Sequence, residues 1–138
     1  MLNKIEKKII IKKRADITKK QFINNEMFPY IKSSFYCSNC QKKNHINIIP
    51  YETGYPFSEL YMNNYLSENE ILDNRIAKVT SIHYRRFGHF TINNLPTFYF
   101  AIKCIDCDSI YLIVFSLGEK QPSLEICQMS DAYEIEYI

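Results

Sequence analysis

Two cysteine pairs constrain this chain more than any other feature: Cys37 and Cys40 in FYCSNCQKK, and Cys104 and Cys107 in IKCIDCDSI. A C-x2-C turn aims two thiolates the same way, and two such turns facing each other put four sulfurs at the corners of a tetrahedron. Zinc accepts that geometry, so the four residues are the expected ligands of a structural Zn2+ ion. Four thiolates fill the coordination shell and leave no position for water or substrate. A closed site of this kind stiffens a fold and performs no reaction. Two other readings stand beside it. A redox pair asks for a single C-x2-C at a helix start, whereas both pairs here sit between strand-like runs. Plain burial also accounts for many cysteines.

The surroundings of the two pairs echo each other. Phe35-Tyr36 precede Cys37, and Ile46 to Ile49 follow Cys40; Thr97 to Lys103 precede Cys104, and Ile110, Leu112 and Val114 follow Cys107. Each pair thus reads as strand, tight turn, strand. Together the segments 35–49 and 99–115 resemble the knuckles of a zinc ribbon. One departure from that pattern is the 63 residues between Cys40 and Cys104, against roughly 15–20 in the compact motif. An insertion, residues 50–96, must therefore separate the knuckles. His45 is near enough in sequence to replace a ligand. Cys127, in SLEICQMS, shares a strand face with Glu125 and Met129 and reads as an unliganded, partly buried thiol.

At 138 residues, with 46% hydrophobic and 23% charged residues, the chain has the balance of a single folded domain, 1–138, rather than of a disordered segment. The longest apolar run, Ile110 to Phe115, is far too short to span a bilayer. The opening MLNKIEKKIIIKKR sets lysines among its isoleucines and makes a poor signal peptide. A cytoplasmic protein with reduced thiols is expected, the setting in which cysteine pairs favour metal over disulfides. Charge is uneven along the chain. Residues 1–20 hold eight Lys or Arg against Glu6 and Asp16, whereas 116–138 hold Lys120 against five acids. Such a layout favours a charged partner at one end, or pairing of the two ends.

The pattern predicts an α+β fold: short helices in the first half, and a mainly antiparallel sheet in the second. Leu2 to Lys13 fits helix or strand equally. Thr18 with Gln21 predicts a short helix from about Lys19 to Met27, ended before Pro29. Ser58 opens a second through Leu66, and Ser67 with Glu70 a third. Alternation predicts strands over Arg75 to Tyr84, Thr97 to Lys103, Ser109 to Leu117, Ser123 to Met129 and Tyr133 to Ile138.

Little points to catalysis. His83 and His89 bracket Arg85 and Arg86, a pattern that fits a nuclease less well than an edge strand with solvated arginines. Nucleic-acid binding is the runner-up. Arg85, Arg86, Phe87 and Phe90 interleave charge with rings, but the C-terminal strands are acidic and would repel phosphates. A protein partner is favoured. Eleven tyrosines are many for this length, and Tyr55, Tyr61 and Tyr65 cluster in the insertion, where rings bury contact area with little entropy loss. Finally, GYPFSELY, RRFGHF, LPTFYF and GEKQPSLEIC around the knuckles resemble small cytosolic bacterial immunity proteins encoded beside polymorphic toxins. That resemblance implies a tight protein partner, a toxin domain, met by Glu125, Glu134 and Glu136 as an acidic face.

Overall fold

In the computed structural model, which describes residues 2–138, strands dominate. They are β1 (Ile9–Ala15), β2 (Gln21–Ile23), β3 (Ile31–Tyr36), β4 (Lys43–Ile48), β5 (Tyr55–Pro56), β6 (Lys78–Val79), β7 (Phe90–Thr91), β8 (Thr97–Lys103), β9 (Ile110–Gln121) and β10 (Leu124–Tyr137). Two short helices, α1 (Ser58–Met62) and α2 (Glu68–Asp73), and two 3₁₀ turns, Asn24–Met27 and Ile82–Phe87, accompany them. The main antiparallel sheet runs β1-β10-β9-β8-β5. Strand β10 is long enough to pair twice along one edge, Ile126 to Gln128 with β2 and Ala132 to Tyr137 with β1.

The centre of this sheet is apolar on both faces. Along β9, Tyr111, Ile113, Phe115 and Leu117 enter one core while Leu112 and Val114 enter another, the period-2 alternation of a strand. A strand covered on both sides carries no polar face, which is why Ile110 to Phe115 reads as an unbroken apolar run. The β3–β4 hairpin covers the first face with Ile31, Phe35, Ile46 and Ile48. The insertion covers the second, with Leu60, Leu66 and Ile71 beside Ile5 and Ile9. Gly54 marks a close approach: its φ is +103°, and a Cβ there would lie 3.0 Å from the Phe115 ring.

Several local expectations change. The helix expected from Lys19 to Met27 is instead β2 followed by a 3₁₀ turn. Thr18 spends its hydroxyl on Ser34 Oγ, 2.9 Å away, rather than capping a helix. Phe22 pairs in register with Cys127 and is buried, a tertiary contact that overrides local propensity. The strand expected from Arg75 to Tyr84 shrinks to β6, after which the chain coils as a 3₁₀ turn. No core lies under it there, and Ile82 is 78% exposed. Helix α1 stops at Met62 because Asn64 adopts φ 61° and the Tyr65 and Leu66 N–H groups bond back to the Leu60 carbonyl. Ser67 caps α2 as its spacing predicts, accepting the Glu70 N–H at 3.2 Å. The two C-terminal strands are one, β10, with an irregularity between Met129 and Ala132.

Pairing of β1 with β10 lays the basic start of the chain against its acidic end. Lys12 meets Glu136 at 3.6 Å, and Asp131 takes both Arg14 (3.7 Å) and Lys20 (3.2 Å). The uneven charge therefore closes partly on itself. Among the described residues no helix is long and apolar enough to cross a membrane.

Candidate metal centre

The first cysteine pair fills the turn between β3 and β4. The Cys37 N–H donates to the Lys42 carbonyl and the Gln41 N–H to the Cys37 carbonyl, both at 2.9 Å. Gln41 takes φ 65° to close the turn. The second pair fills the turn between β8 and β9, where the Cys104 N–H donates to the Ser109 carbonyl at 2.7 Å. Two separate hairpins thus present the same motif.

Packing of the β3–β4 hairpin on the sheet brings the turns together. All four sulfurs lie within 4.8 Å of one another. Across the gap, Cys37 Sγ stands 3.6 Å from Cys107 Sγ, and Cys40 Sγ 3.6 Å from Cys104 Sγ. Thiolates bound at about 2.3 Å around a tetrahedral ion are about 3.8 Å apart. The four residues fit that spacing and could hold a metal ion. Cys37 and Cys104 are buried, Cys107 is half-buried and Cys40 is exposed, so the cluster sits where a core reaches the surface.

The surroundings favour thiolates at two positions. Burial works against ionisation of Cys37, but the Tyr111 hydroxyl at 3.3 Å and the backbone N–H groups of Cys40 and Asn39 outweigh it and hold the thiol down to about 6. Cys104 is likewise lowered: burial opposes the charge, while the Asp106 N–H and the Asn44 amide, 3.4 Å from the sulfur, support it. At Cys40 the Lys42 N–H favours the anion, yet loss of hydration and the three neighbouring sulfurs prevail and push it up to about 12. Each thiolate formed discourages the next. A cation among them removes that repulsion and deprotonates a coordinating thiol outright.

A second ring of side chains locks the turns, and sequence reasoning did not find it. Asn44 Nδ2 donates to the Lys42 carbonyl at 3.1 Å while its Oδ1 accepts the Ile105 N–H at 2.8 Å, tying one knuckle to the other. The Tyr111 hydroxyl also accepts the Ser38 N–H at 2.8 Å. Asn39 donates to Ser109 Oγ (2.7 Å) and to Glu134 Oε2 (2.8 Å). The available signal was Asn44, a polar residue at an inward position beside Ile46 and Ile48. Removing one such contact from a metal site lowers affinity about 10–100-fold. Tyr111→Phe is therefore expected to keep one ion per chain but to surrender it to a competing chelator at a correspondingly lower concentration. Unchanged competition would deny Tyr111 this role.

Other candidate residues fall outside the cluster. His45 is exposed on β4, opposite Ser34. Cys127 is fully buried, not partly, and burial alone pushes its thiol to about 12. His83 is exposed and His89 stacks on the Tyr61 ring, their centroids 5.5 Å apart. Arg85 donates to the Thr80 carbonyl at 2.7 Å. Tyr55, Tyr61 and Tyr65 are half-buried against the second core. Glu125 is half-buried beside the Tyr51 hydroxyl, 3.4 Å away. Glu136 pairs with Lys12, and Glu134 is buried under Asn39 at 6% exposure. The acidic face expected from Glu125, Glu134 and Glu136 is thus interrupted at its middle, because the first knuckle covers Glu134.

Fold and site together define a mostly antiparallel β protein bearing a four-cysteine cluster compatible with a metal ion. No protein-family model, curated protein or solved structure matches the chain.

Proposed function

We propose that this chain is a zinc-braced binding module that acts by contact with a protein and catalyses nothing itself. The observation that carries the reading is the cluster of four sulfurs within 4.8 Å. Four soft thiolates suit zinc and complete its tetrahedral shell, leaving no open position for a reaction. Elemental analysis of purified protein is expected to give one zinc per chain; iron, or no metal at all, would remove zinc from the reading.

The outer face of the β3–β4 hairpin supports a contact role. Lys32 lies opposite Asn47 and Tyr36 opposite Lys43, with His45 between them on the same exposed face. No Asp or Glu occurs from Met27 to Tyr51, whereas Lys32, Lys42 and Lys43 do. A protein partner with an acidic surface complements this face. In its finer form the proposal is toxin immunity, the binding and neutralisation of a cognate toxin domain. Co-expression with a toxin encoded beside its gene should restore growth, and Lys32→Glu with Lys43→Glu should abolish the rescue. Failure of folded, metal-loaded protein to rescue would end the immunity reading.

Single-stranded nucleic acid is the second reading for the same face. Tyr36 is 52% exposed, and Lys32 Nζ stands 4.9 Å over the exposed Tyr30 ring, an arrangement of rings and cations that suits stacked bases and phosphates. Binding to an oligonucleotide that fades steeply between low and moderate salt would favour it. Absence of binding at low salt removes it.

A further inference from the structure

A cleft of about 860 Å³ opens between β10, at its irregularity near Met129, and the part of the insertion between Arg75 and Asn94. It shares no residue with the cysteine cluster. Arg14, Lys20, Arg75 and Lys78 line it, and among the described residues Asp131 is its one carboxylate. Asp131 is buried and already committed: it accepts the Ile17 N–H at 3.3 Å and meets Lys20 and Arg14. Among the described residues Arg75 and Lys78 form no ion pair. The lining therefore carries two cations without a partner and an excess of positive charge.

Neutral groups in the lining are biased the same way. Asn94 uses its carbonyl oxygen to accept the Ser81 N–H at 2.8 Å, and Gln128 uses its own to accept from the Asn93 amide. Both amides keep N–H donors for another acceptor. Arg75, Asn93 and Asn94 take φ of 56°, 59° and 58°, the left-handed conformation that ends α2, with the Ile76 N–H on the Ile71 carbonyl, and closes the tight turn from Ile92 to Leu95. Arg75 is held in it by its N–H on the Leu72 carbonyl and by the Tyr133 hydroxyl on its own carbonyl. Beneath the donors lie Ile76, Ile92 and Met129, and Val79, half exposed, stands at the rim.

We propose that this cleft binds a phosphate ester. Its phosphate sits against Lys20, Arg75 and Lys78, and its apolar or planar body covers the exposed lining residues Leu72 and Val79. A dianion offsets most of the excess charge of the lining, and the volume lies within the range of small-molecule sites, which a bare phosphate would leave mostly empty. The proposal stands independently of the zinc and partner readings.

Titration of full-length, metal-loaded protein with adenosine monophosphate, hexyl phosphate and inorganic phosphate tests it. At least one ester should bind about tenfold or more tightly than inorganic phosphate and shift the amide resonances of Ser81, Asn94 and Ser130. The tighter ester distinguishes a nucleotide from a lipid-like headgroup as the source. Arg75→Asn with Lys78→Gln, both at exposed positions, should weaken ester binding about tenfold or more, with melting temperature and metal content unchanged. Asparagine is chosen because it tolerates the left-handed backbone. No ester binding at millimolar concentration, an affinity equal to that of inorganic phosphate, or indifference to the double variant would each overturn the proposal.

Discussion

Cys37→Ser, or removal of the proposed zinc ion by a strong chelator, is expected to abolish cooperative unfolding. Cys37 and Cys104 belong to the first core and are 0% and 3% exposed. The β3–β4 hairpin forms its own two-stranded sheet, tied to the rest of the backbone by the Ile17–Phe35 bridge and the bond from the Thr18 N–H to the Ser34 carbonyl. An isolated hairpin is marginal in water, so the cluster and the apolar contacts beneath it must hold this layer down. A structural zinc contributes about 10–16 kcal/mol in small peptides, comparable to the roughly 5–15 kcal/mol stability of whole domains. Losing it should leave a loosened chain with weak near-ultraviolet dichroism and no sharp melting transition. Cys127→Ser provides the comparison: that thiol is equally buried but outside the cluster, so the variant should keep its ion and its cooperative transition. A melting temperature and dichroism spectrum unaffected by proven metal loss would refute the structural role.

Phe115→Ala is expected to cost about 3–5 kcal/mol in urea unfolding. Its side chain is fully buried on β9, with the Phe98 and Phe100 ring centroids 5.7 Å and 6.0 Å away and Gly54 pressed against its edge. The hole cannot readily collapse, because β8 and β9 are paired on either side of it and β5 pairs β8 just beyond Gly54. Tyr51→Ala, at a ring 61% exposed, should change stability by no more than about 0.5 kcal/mol. A loss below about 1 kcal/mol at Phe115 would contradict the packing described for this face.

What was readable in the chain beforehand was whatever depends on short-range pattern. The strand–turn–strand form of both knuckles, the Ser67 cap of α2, and strands β8 and β9 all follow from spacings of a few residues. Segments whose neighbours are distant in sequence were not readable. Gln21 to Ile23 became a strand because β10 lies beside it, more than 100 residues later. Of the strand expected from Arg75 to Tyr84 only Lys78 and Val79 remain, because they alone find partners, in Thr91 and Phe90, and no core receives Ile82. The second ring around the cysteines depends on Tyr111, Asn44 and Glu134 meeting turns from two hairpins, contacts that no local periodicity encodes.

Sequence alone determined the identity of the four cysteines, their grouping into two turns and the apolar strands that carry them, since residue type and spacing settle which side chains one turn presents together. Only the tertiary structure decided that the two turns meet within 4.8 Å, that Glu134 is covered, and that a cation-lined cleft opens beside β10. The physical reason is that a turn is local, whereas convergence across 63 intervening residues is fixed by how a hairpin seats on a sheet through shape and burial.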